Sequence, residues 1–302
     1  MQEILTRAGS FVFIILLGHF LRRFHVLEED AFHVLSKIAI RITLPATVIV
    51  SFSGKEMDPA LLSLVLIGLG GGILYSGIGL LINRKKSREQ QAFEMLNLSG
   101  YNVGNFTMPF IQSFLGPAGV VATGLFDTGN ACICFGGAYG MASTVKEGSG
   151  FSLKRIGKTL VTSVPFMTYI IMVILGIAHI TLPAPVLSCV QVVANANAFT
   201  AMLMIGVGFK LSGDWKQIGK IIKILSVRYG VAVILALCWY FLLPFELEVR
   251  QALVILMFSP VASAIPAFTA ELKGDVGLSS AINSLSILLS IFFIVTLLVV
   301  ML

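Results

Sequence analysis

Charged side chains are scarce in this chain. Asp, Glu, Lys and Arg together make up 12% of its 302 residues, against about a quarter in an average soluble domain. Hydrophobic residues make up 57%, and the mean hydropathy is +0.94. No polar stretch is long enough to fold as a separate soluble domain. These shortages exclude an ordinary soluble protein and predict an all-α polytopic membrane protein.

Cysteine and histidine are also rare, with four of each. The cysteines are Cys132, Cys134, Cys189 and Cys238, and all fall inside apolar runs. A Cys-x-Cys pair on a helix points to different faces and has no histidine nearby, so we expect apolar packing and no metal site or cofactor. Because no nucleophile and base form a recognisable set, we expect that the protein is not an enzyme.

Apolar runs of the length that crosses a bilayer recur along the chain. The connections between them are short. We predict ten spans, at roughly residues 4–21, 32–52, 60–82, 91–115, 118–143, 158–180, 185–209, 219–243, 249–270 and 277–302.

Most of the net charge of +6 lies in alternate loops. The loops after odd-numbered spans hold Arg22, Arg23, Arg84, Lys85, Lys86, Arg88, Lys146, Lys154, Arg155, Lys158, Lys210, Lys216, Lys220, Lys223 and Lys273. The opposite loops hold Arg7, Lys55 and Arg250. The positive-inside rule then predicts a multi-pass protein of the cell membrane with both termini extracytoplasmic. Because the basic residues follow membrane topology, we expect no nucleic-acid partner.

Two prolines interrupt runs that are otherwise long enough to cross the membrane. Pro109 lies in the fourth predicted span and Pro266 in the ninth. A broken helix persists in a bilayer only where protein or a water-lined cavity satisfies its free backbone groups. Proline suits the first turn of a helix, so we expect each proline to begin a half-helix whose N-terminus carries about half a positive charge. Two such ends predict an anion site in a transporter.

The two prolines also mark an internal repeat. A shift of 157 residues places Pro109 on Pro266 and brings Gly116 close to Gly274. Five predicted spans separate the copies, and an odd number makes the second copy enter the membrane from the opposite side. We therefore predict two inverted five-helix repeats, residues 1–147 and 155–302.

Several motifs resemble those of one transporter family. They are Asn102-Val-Gly-Asn-Phe-Thr-Met-Pro-Phe110 with Phe-Leu-Gly116 and Leu125-Phe-Asp127, Gly18-His-Phe-Leu-Arg-Arg23, the run from Leu35-Ser-Lys to Leu44-Pro45, and Ala264-Ile-Pro-Ala-Phe268 with Gly274-Asp275. In these motifs, which extend over essentially the whole chain, the sequence resembles the auxin efflux carrier family, which includes plant PIN carriers and bacterial malate and malonate permeases. Arg41 and Phe126 depart from the family pattern.

The resemblance implies the fold of the bile acid sodium symporters. That fold has ten transmembrane helices in two inverted repeats, with helices 4 and 9 broken and crossing at mid-membrane. The resemblance also implies a scaffold of helices 1, 2, 6 and 7, a transport domain of helices 3–5 and 8–10 that moves like an elevator, and a homodimer through the scaffold. It leaves open whether H+, Na+ or neither drives transport.

Polar residues cluster at the expected depth of the two breaks. Counting about 1.5 Å per residue along each helix places in the middle third of the membrane Arg41, Asn102, Asn105, Thr107, Asp127, Asn195, Asn197 and Asn283. We predict that the substrate contacts Asn102, Asn105, Thr107, Pro109, Arg41, Asn195, Asn197, Ile265 and Pro266. For every amide, an interhelical hydrogen bond is the alternative role.

The two charges at this depth have competing interpretations. Arg41 binds a substrate carboxylate, pairs with Asp127, or extends toward the membrane surface together with Lys37. Asp127 is a proton carrier, a sodium ligand or a packing partner. We treat Asp127 and Asn283 as the candidates for coupling to H+ or Na+.

Together these features predict a secondary transporter that moves a small organic anion by elevator-type alternating access. The expected substrate is a mono- or dicarboxylate similar to malate, malonate or auxin, and the other expected partner is membrane lipid. The alternatives are a sodium-coupled symporter of bile acid or steroid type, and a passive anion channel of the same fold.

Overall fold

The computed structural model describes residues 2–28, 30–54, 59–148, 152–209 and 217–302. Lys55, Lys210 and Lys216, which entered the count of basic loop residues, lie outside these ranges, as does the side chain of Arg155. Within them, every regular element is helical and there is no β-strand. The prediction of an all-α protein is confirmed for this part of the chain.

Sixteen α-helices are described. Their bounds are α1 Gln2–Arg23, α2 Ala31–Ile38, α3 Leu44–Phe52, α4 Ser63–Ile82, α5 Arg88–Leu98, α6 Met108–Phe114, α7 Pro117–Cys132, α8 Ala138–Glu147, α9 Leu153–Thr162, α10 Val164–Ile177, α11 Ala184–Asn195, α12 Asn197–Gly208, α13 Ile218–Leu242, α14 Leu247–Met257, α15 Ile265–Glu271 and α16 Val276–Met301. Three π-helical turns are described: Ala39–Thr43 joins α2 to α3, Ile133–Gly137 joins α7 to α8, and Val103–Thr107 leads directly into α6.

Among the described residues, seven helical stretches are long and apolar enough to cross a membrane. They are Leu5–Arg23, Ala31–Phe52, Pro59–Ile82, Pro117–Glu147, Ala184–Gly208, Ile218–Leu242 and Val276–Met301. The pair α9–α10, bent by 76°, raises the number to eight if it forms one span. The protein is therefore a polytopic membrane protein. The pairs α5–α6 and α14–α15 are interrupted and do not meet this criterion, so ten spans remain a prediction.

Both predicted interruptions are present. The chain is non-helical from Ser99 to Asn102, and again over most of 258–264. Pro109 lies in the first turn of α6, and Pro266 lies in the first turn of α15. The first helix restarts earlier than expected, however, through the π-helical turn Val103–Thr107. Because proline lacks an N–H and its ring clashes with the carbonyl of the preceding turn, a locally widened helix accommodates it.

The helices pack in two groups. The first helix group comprises α1–α3 and α10–α12, in which α1 packs along α12 and α3 packs against α10 and α11. The second helix group comprises α4, α5, α7, α8 and α13–α16, in which α4 packs on α7 and α14 lies between α7 and α13. The short helices α6 and α9 contact both groups.

Several of the described basic loop residues gather at one end of the bundle, where Lys146, Lys220 and Lys273 line one pocket. There the Lys146 ammonium donates to the carbonyl oxygen of Leu272 at 2.6 Å, and Lys223 pairs with Glu94 at 2.7 Å. At the other end the Gln251 amide donates to the carbonyl oxygen of Met301 at 3.0 Å, next to the end of α16. These lysines therefore lie together in the folded protein, while the side of the membrane that each end faces remains a prediction.

Helices α4 and α7 touch backbone to backbone through glycines. A Cβ added to Gly68 of α4 would lie 2.0 Å from the carbonyl oxygen of Phe126, and one added to Gly129 of α7 would lie 1.9 Å from that of Val65. Small residues of this kind let helices approach closely in membranes, where packing replaces the hydrophobic effect as the main source of association. This contact holds α7, which carries Asp127, at a fixed distance from α4.

We expect Gly68→Ala to lower the free energy of unfolding by about 1–3 kcal/mol, because the added methyl group forces α4 and α7 apart. Gly70→Ala on the same helix is the control, since its Cβ would meet no atom within 4 Å. Thermal unfolding of the purified protein in detergent measures both. A Gly68→Ala protein as stable as the control would contradict the close contact.

Candidate functional site

The two interrupted segments meet each other. The backbone N–H of Asn102 donates to the carbonyl oxygen of Pro260 at 3.0 Å. The hydroxyls of Thr107 and Ser259 are 2.6 Å apart and both are buried. Backbone groups that the breaks set free are thus partly satisfied across the contact, as a low-dielectric environment requires. We call this contact of segments 99–107 and 258–264 the crossing.

Arg228, from the middle of α13, lies directly behind the crossing and is fully buried. Its guanidinium donates four hydrogen bonds to backbone carbonyl groups. The acceptors are the carbonyl oxygens of Leu98, of Gly100 at 2.9 Å, of Ser259 at 3.0 Å and of Pro260 at 3.2 Å. One side chain therefore binds the backbone of both interrupted segments.

Two tyrosines flank this guanidinium. Its central carbon lies 5.1 Å from the ring centre of Tyr75 and 5.3 Å from that of Tyr101, within the range of cation–π attraction. Among the described residues, no carboxylate pairs with Arg228. Its positive charge is balanced by carbonyl dipoles and aromatic faces rather than by an acid.

The carbonyl groups that Arg228 contacts lie at or just beyond the C-terminal ends of two helices. Leu98 is the last residue of α5, and Ser259 and Pro260 follow closely after α14, which ends at Met257. The C-terminus of a helix carries about half a negative charge. Two such ends together match the single positive charge of one guanidinium.

Amide side chains brace the two breaks from the other sides. Asn130 of α7 accepts from the backbone N–H of Tyr101 at 3.0 Å and donates to its carbonyl oxygen at 2.8 Å. Asn283 of α16 donates to the carbonyl oxygen of Val261 at 3.1 Å. The N–H of Val261 donates in turn to the Ser286 hydroxyl at 3.1 Å. The irregular backbone is therefore held in one conformation by specific partners.

A cavity of about 150 Å³ lies at the crossing, and Arg228 is not among the residues that line it. Its polar lining includes Asn102, Asn105, Asp127, Asn130 and Tyr169. The rest of the wall is largely apolar, with side chains from α2–α3, α7 and α10. The cavity is therefore bounded by the crossing, by α7 of the second helix group and by α10 of the first.

Asp127 is the acidic residue of this cavity. Its Oδ1 accepts from the Asn130 amide at 3.0 Å, and its Oδ2 accepts from the Tyr169 hydroxyl at 3.4 Å. Oδ2 also lies close to the backbone at Gly104, since a Cβ added there would be 3.5 Å from it. In the part of the chain that the structure describes, no cation pairs with Asp127. This carboxyl group sits where the helical stretch 103–114 begins.

Comparison with protein-family models and with curated protein sequences finds no match for this chain. A proposal for the function therefore rests on the geometry of the cavity and the crossing. The site holds hydrogen-bond donors and acceptors from amides, one carboxyl group and one phenol, with a fixed positive charge behind the crossing. These groups are suited to reversible binding of a small polar molecule.

The structure brings together a subset of the residues predicted for the site. Asn102, Asn105 and Asp127 line the cavity. Thr107, Pro109 and Ile265 are buried at or beside the crossing, and Asn283 braces the second break without lining the cavity. Pro266 follows Ile265 in the first turn of α15, and the cavity wall from this segment consists of residues 262–264 instead.

Three predicted contacts lie elsewhere. Asn197 is buried in a polar cluster, where its Oδ1 accepts from Thr43 at 2.9 Å and its Nδ2 donates to Gln112 at 3.0 Å. Asn195 is exposed and accepts from the Gln191 amide at 2.7 Å. Arg41 is exposed in the π-helical turn Ala39–Thr43 and does not line the cavity. The described residues contain no ion pair between Arg41 and Asp127.

Arg228, Asn130 and Tyr169 are the important residues that the sequence analysis did not single out. A signal for Arg228 was available, because it lies in the middle of Ile218–Leu242, well beyond Lys220 and Lys223 in the first two turns of that helix. A charge at that depth costs about 2.5–3.5 kcal/mol on insertion scales, so it indicates a buried partner. Asn130 and Tyr169 carry no comparable signal, since an amide or a phenol in a membrane helix is common at interhelical contacts.

We expect Asn130→Ala to lower the free energy of unfolding by about 2–4 kcal/mol, because the N–H and the carbonyl group of Tyr101 both lose a buried partner. Asn195→Ala is the control, because Asn195 is exposed and bonds only to a neighbouring side chain. Its effect should stay within about 0.5 kcal/mol. Chemical or thermal unfolding in detergent distinguishes the two, and equal losses would contradict the bracing role of Asn130.

Proposed function

We propose that this protein is a secondary transporter. It binds a small organic anion in the cavity at the crossing and moves it across the membrane by alternating access. The observation that carries the proposal is the cavity itself, which lies where two interrupted membrane helices meet. Discontinuous helices at mid-membrane form substrate sites in many secondary transporters. A membrane location and a transport role account together for the apolar surface and the polar interior.

The proposal includes ten spans in two inverted repeats. It counts α5–α6 and α14–α15 as interrupted spans and adds them to the eight stretches described above. The element boundaries support the repeat, because α6 begins at Met108 and α15 begins at Ile265, the same 157-residue shift that relates the two prolines. Both half-helices carry proline as their second residue. An irregular segment directly precedes α15, whereas the π-helical turn Val103–Thr107 lies between the first irregular segment and α6.

The electrostatics of the crossing favour an anion. Arg228 has no carboxylate partner among the described residues, but the carbonyl groups that it contacts already balance its charge, so the preference for an anion comes from the donors at the cavity itself. The helical stretch 103–114 begins at the cavity with unpaired N–H groups, and its N-terminus carries about half a positive charge. Asn102 and Asn105 add amide donors on the same wall. A carboxylate in the cavity would complete this arrangement.

The size of the cavity favours a small substrate. Its volume of about 150 Å³ is below the roughly 300–1,000 Å³ of pockets that hold drug-sized ligands. A mono- or dicarboxylate similar to malate or malonate is closer to this volume than a bile acid or steroid. The cavity volume therefore supports a small-anion transporter better than a sodium-coupled steroid symporter.

The protonation state of Asp127 determines whether the cavity attracts or repels such a substrate. If it were ionised, its carboxylate would repel an anion held a few ångströms away in a largely apolar cavity. If it is protonated, the same group donates a hydrogen bond to the anion. Anion binding is then accompanied by uptake of a proton at Asp127, which couples transport to H+.

Alternating access would take place between the two helix groups. We assign the first helix group to the scaffold and the second, with α6, to the transport domain. Gln112 of α6 marks their contact, since its Oε1 accepts from Asn197 at 3.0 Å and its amide donates to the carbonyl oxygen of Ala194 at 3.1 Å. These bonds must exchange when the transport domain slides.

We also retain extracytoplasmic termini and a scaffold-mediated homodimer as parts of the proposal.

The function is tested by uptake into proteoliposomes. Candidate carboxylates are first ranked by the rise in melting temperature that they give the purified protein at two pH values. The best binder is then followed into vesicles as a radiolabelled solute. Saturable uptake supports the transporter, whereas flux that grows linearly with concentration supports a passive channel. Stabilisation by no carboxylate at either pH would reject the small-anion site.

We expect Asp127→Asn to remove the pH dependence of anion binding. In the wild type, affinity should rise as the pH falls from about 8 to about 5, because the binding-competent form carries the proton. The amide side chain that replaces the carboxyl group in the variant keeps a donor but does not titrate. Thermal shift or calorimetric titration with the best carboxylate at each pH measures the difference.

Asp275→Asn is the matched control for this experiment. Asp275 lies outside the cavity at the start of α16, where a hydrogen bond from the backbone N–H of Leu278 lowers the pKa of its carboxyl group. It therefore stays ionised between about pH 5 and pH 8, and its replacement should leave the pH dependence unchanged. If Asp127→Asn retains the wild-type pH profile, Asp127 is not the proton carrier.

A further inference from the structure

We propose that the guanidinium of Arg228 permanently occupies a cation site formed by the C-termini of α5 and α14. The tethered cation takes the place that a free monovalent cation would otherwise need at the crossing. This goes beyond the proposed function, because it concerns what holds the crossing together and does not depend on the identity of the transported anion.

The arrangement of carbonyl groups is that of a cation site. Unwound backbone carbonyls and the C-terminal ends of half-helices are the groups that coordinate Na+ in transporters with discontinuous helices. Here three carbonyl oxygens, from Gly100, Ser259 and Pro260, converge on one nitrogen of Arg228 at 2.9–3.2 Å. The carbonyl oxygen of Leu98 accepts a hydrogen bond from the other terminal nitrogen. The site is therefore filled by the protein itself.

The charges indicate that one cation is sufficient. The two helix C-termini each carry about half a negative charge, so together they balance one positive charge. Two further sources of attraction, the faces of Tyr75 and Tyr101, are also directed at the guanidinium. A metal ion added to the same carbonyl groups would lie within a few ångströms of Arg228 and be repelled by it.

The geometry also favours a guanidinium over a metal ion. The acceptors belong to two separate chain segments, residues 98–100 and 259–260, and the two terminal nitrogens of the planar guanidinium reach both, while its buried Nε–H has no partner among the described residues. The guanidinium thereby ties both segments to α13 through one rigid group. Tyr75 adds a second link to α13, since its hydroxyl donates to the carbonyl oxygen of Arg228 at 2.9 Å.

The test is chemical rescue of Arg228→Ala in the purified full-length protein. Melting temperatures are measured in detergent with guanidinium chloride at about 20 mM, far below denaturing concentrations, and with choline chloride at the same concentration. Choline has the same charge but lacks N–H donors. We expect guanidinium to raise the melting temperature of Arg228→Ala by about 3 °C or more above its effect on the wild type. Choline should give no such difference.

Arg250→Ala is the matched control. Arg250 also stacks on a tyrosine, with its guanidinium carbon 5.6 Å from the ring centre of Tyr240, and donates to one carbonyl oxygen at 2.9 Å. It lacks the converging carbonyl groups, so guanidinium should not rescue its variant. Equal guanidinium responses in Arg228→Ala, Arg250→Ala and the wild type would overturn the proposal.

Arg228→Lys is the second variant, in case Arg228→Ala does not fold in buffer alone. Lysine keeps a cation beside the carbonyl groups, so this variant should be clearly more stable than Arg228→Ala and should respond less to guanidinium. Folding of Arg228→Ala only when guanidinium is present throughout purification would also support the proposal. A lysine variant no more stable than the alanine variant, or an alanine variant that guanidinium does not recover, would reject it. All of these readouts are independent of anion transport.

Discussion

The structure depends on the four hydrogen bonds between Arg228 and the carbonyl groups of two interrupted helices. Each break leaves backbone groups that lipid does not satisfy, and two breaks in contact would place two negative helix ends side by side. One buried guanidinium satisfies the carbonyl groups and balances the charge. Removing it would leave several buried acceptors unpaired at once, each worth about 1–3 kcal/mol.

Three of the helix ends at the crossing lie on two chemically different sides. The C-termini of α5 and α14 face Arg228, whereas the beginning of the stretch 103–114 faces the cavity and the Asp127 carboxyl group. The cation on one side is fixed, because arginine does not lose its proton in proteins. In the mechanism that we propose, the negative charge on the other side is exchanged between Asp127 and a bound anion. A fixed cation and an exchangeable anion are what a site for reversible anion binding requires.

Counting residues from span ends predicts the height of a side chain in the membrane but not the direction in which it points. Asn102, Asn105 and Asp127 were found by height and do line the cavity. Asn195 and Asn197 have similar heights, but Asn195 is exposed and Asn197 bonds to Thr43 and Gln112. Arg41 is exposed on a π-helical turn, whose altered residue spacing changes the face on which a side chain emerges.

The sequence alone determined the membrane class, the helical content, the two interruptions near Pro109 and Pro266 and the segregation of basic residues, because each follows from local composition or from the missing N–H of proline. The tertiary structure decided which polar groups meet. Arg228 is about 130 residues from Leu98 and Gly100 along the chain, and no local rule predicts which distant carbonyl groups a buried guanidinium will find. That choice is made by packing, because a buried charge is stable only where several helices supply its partners together.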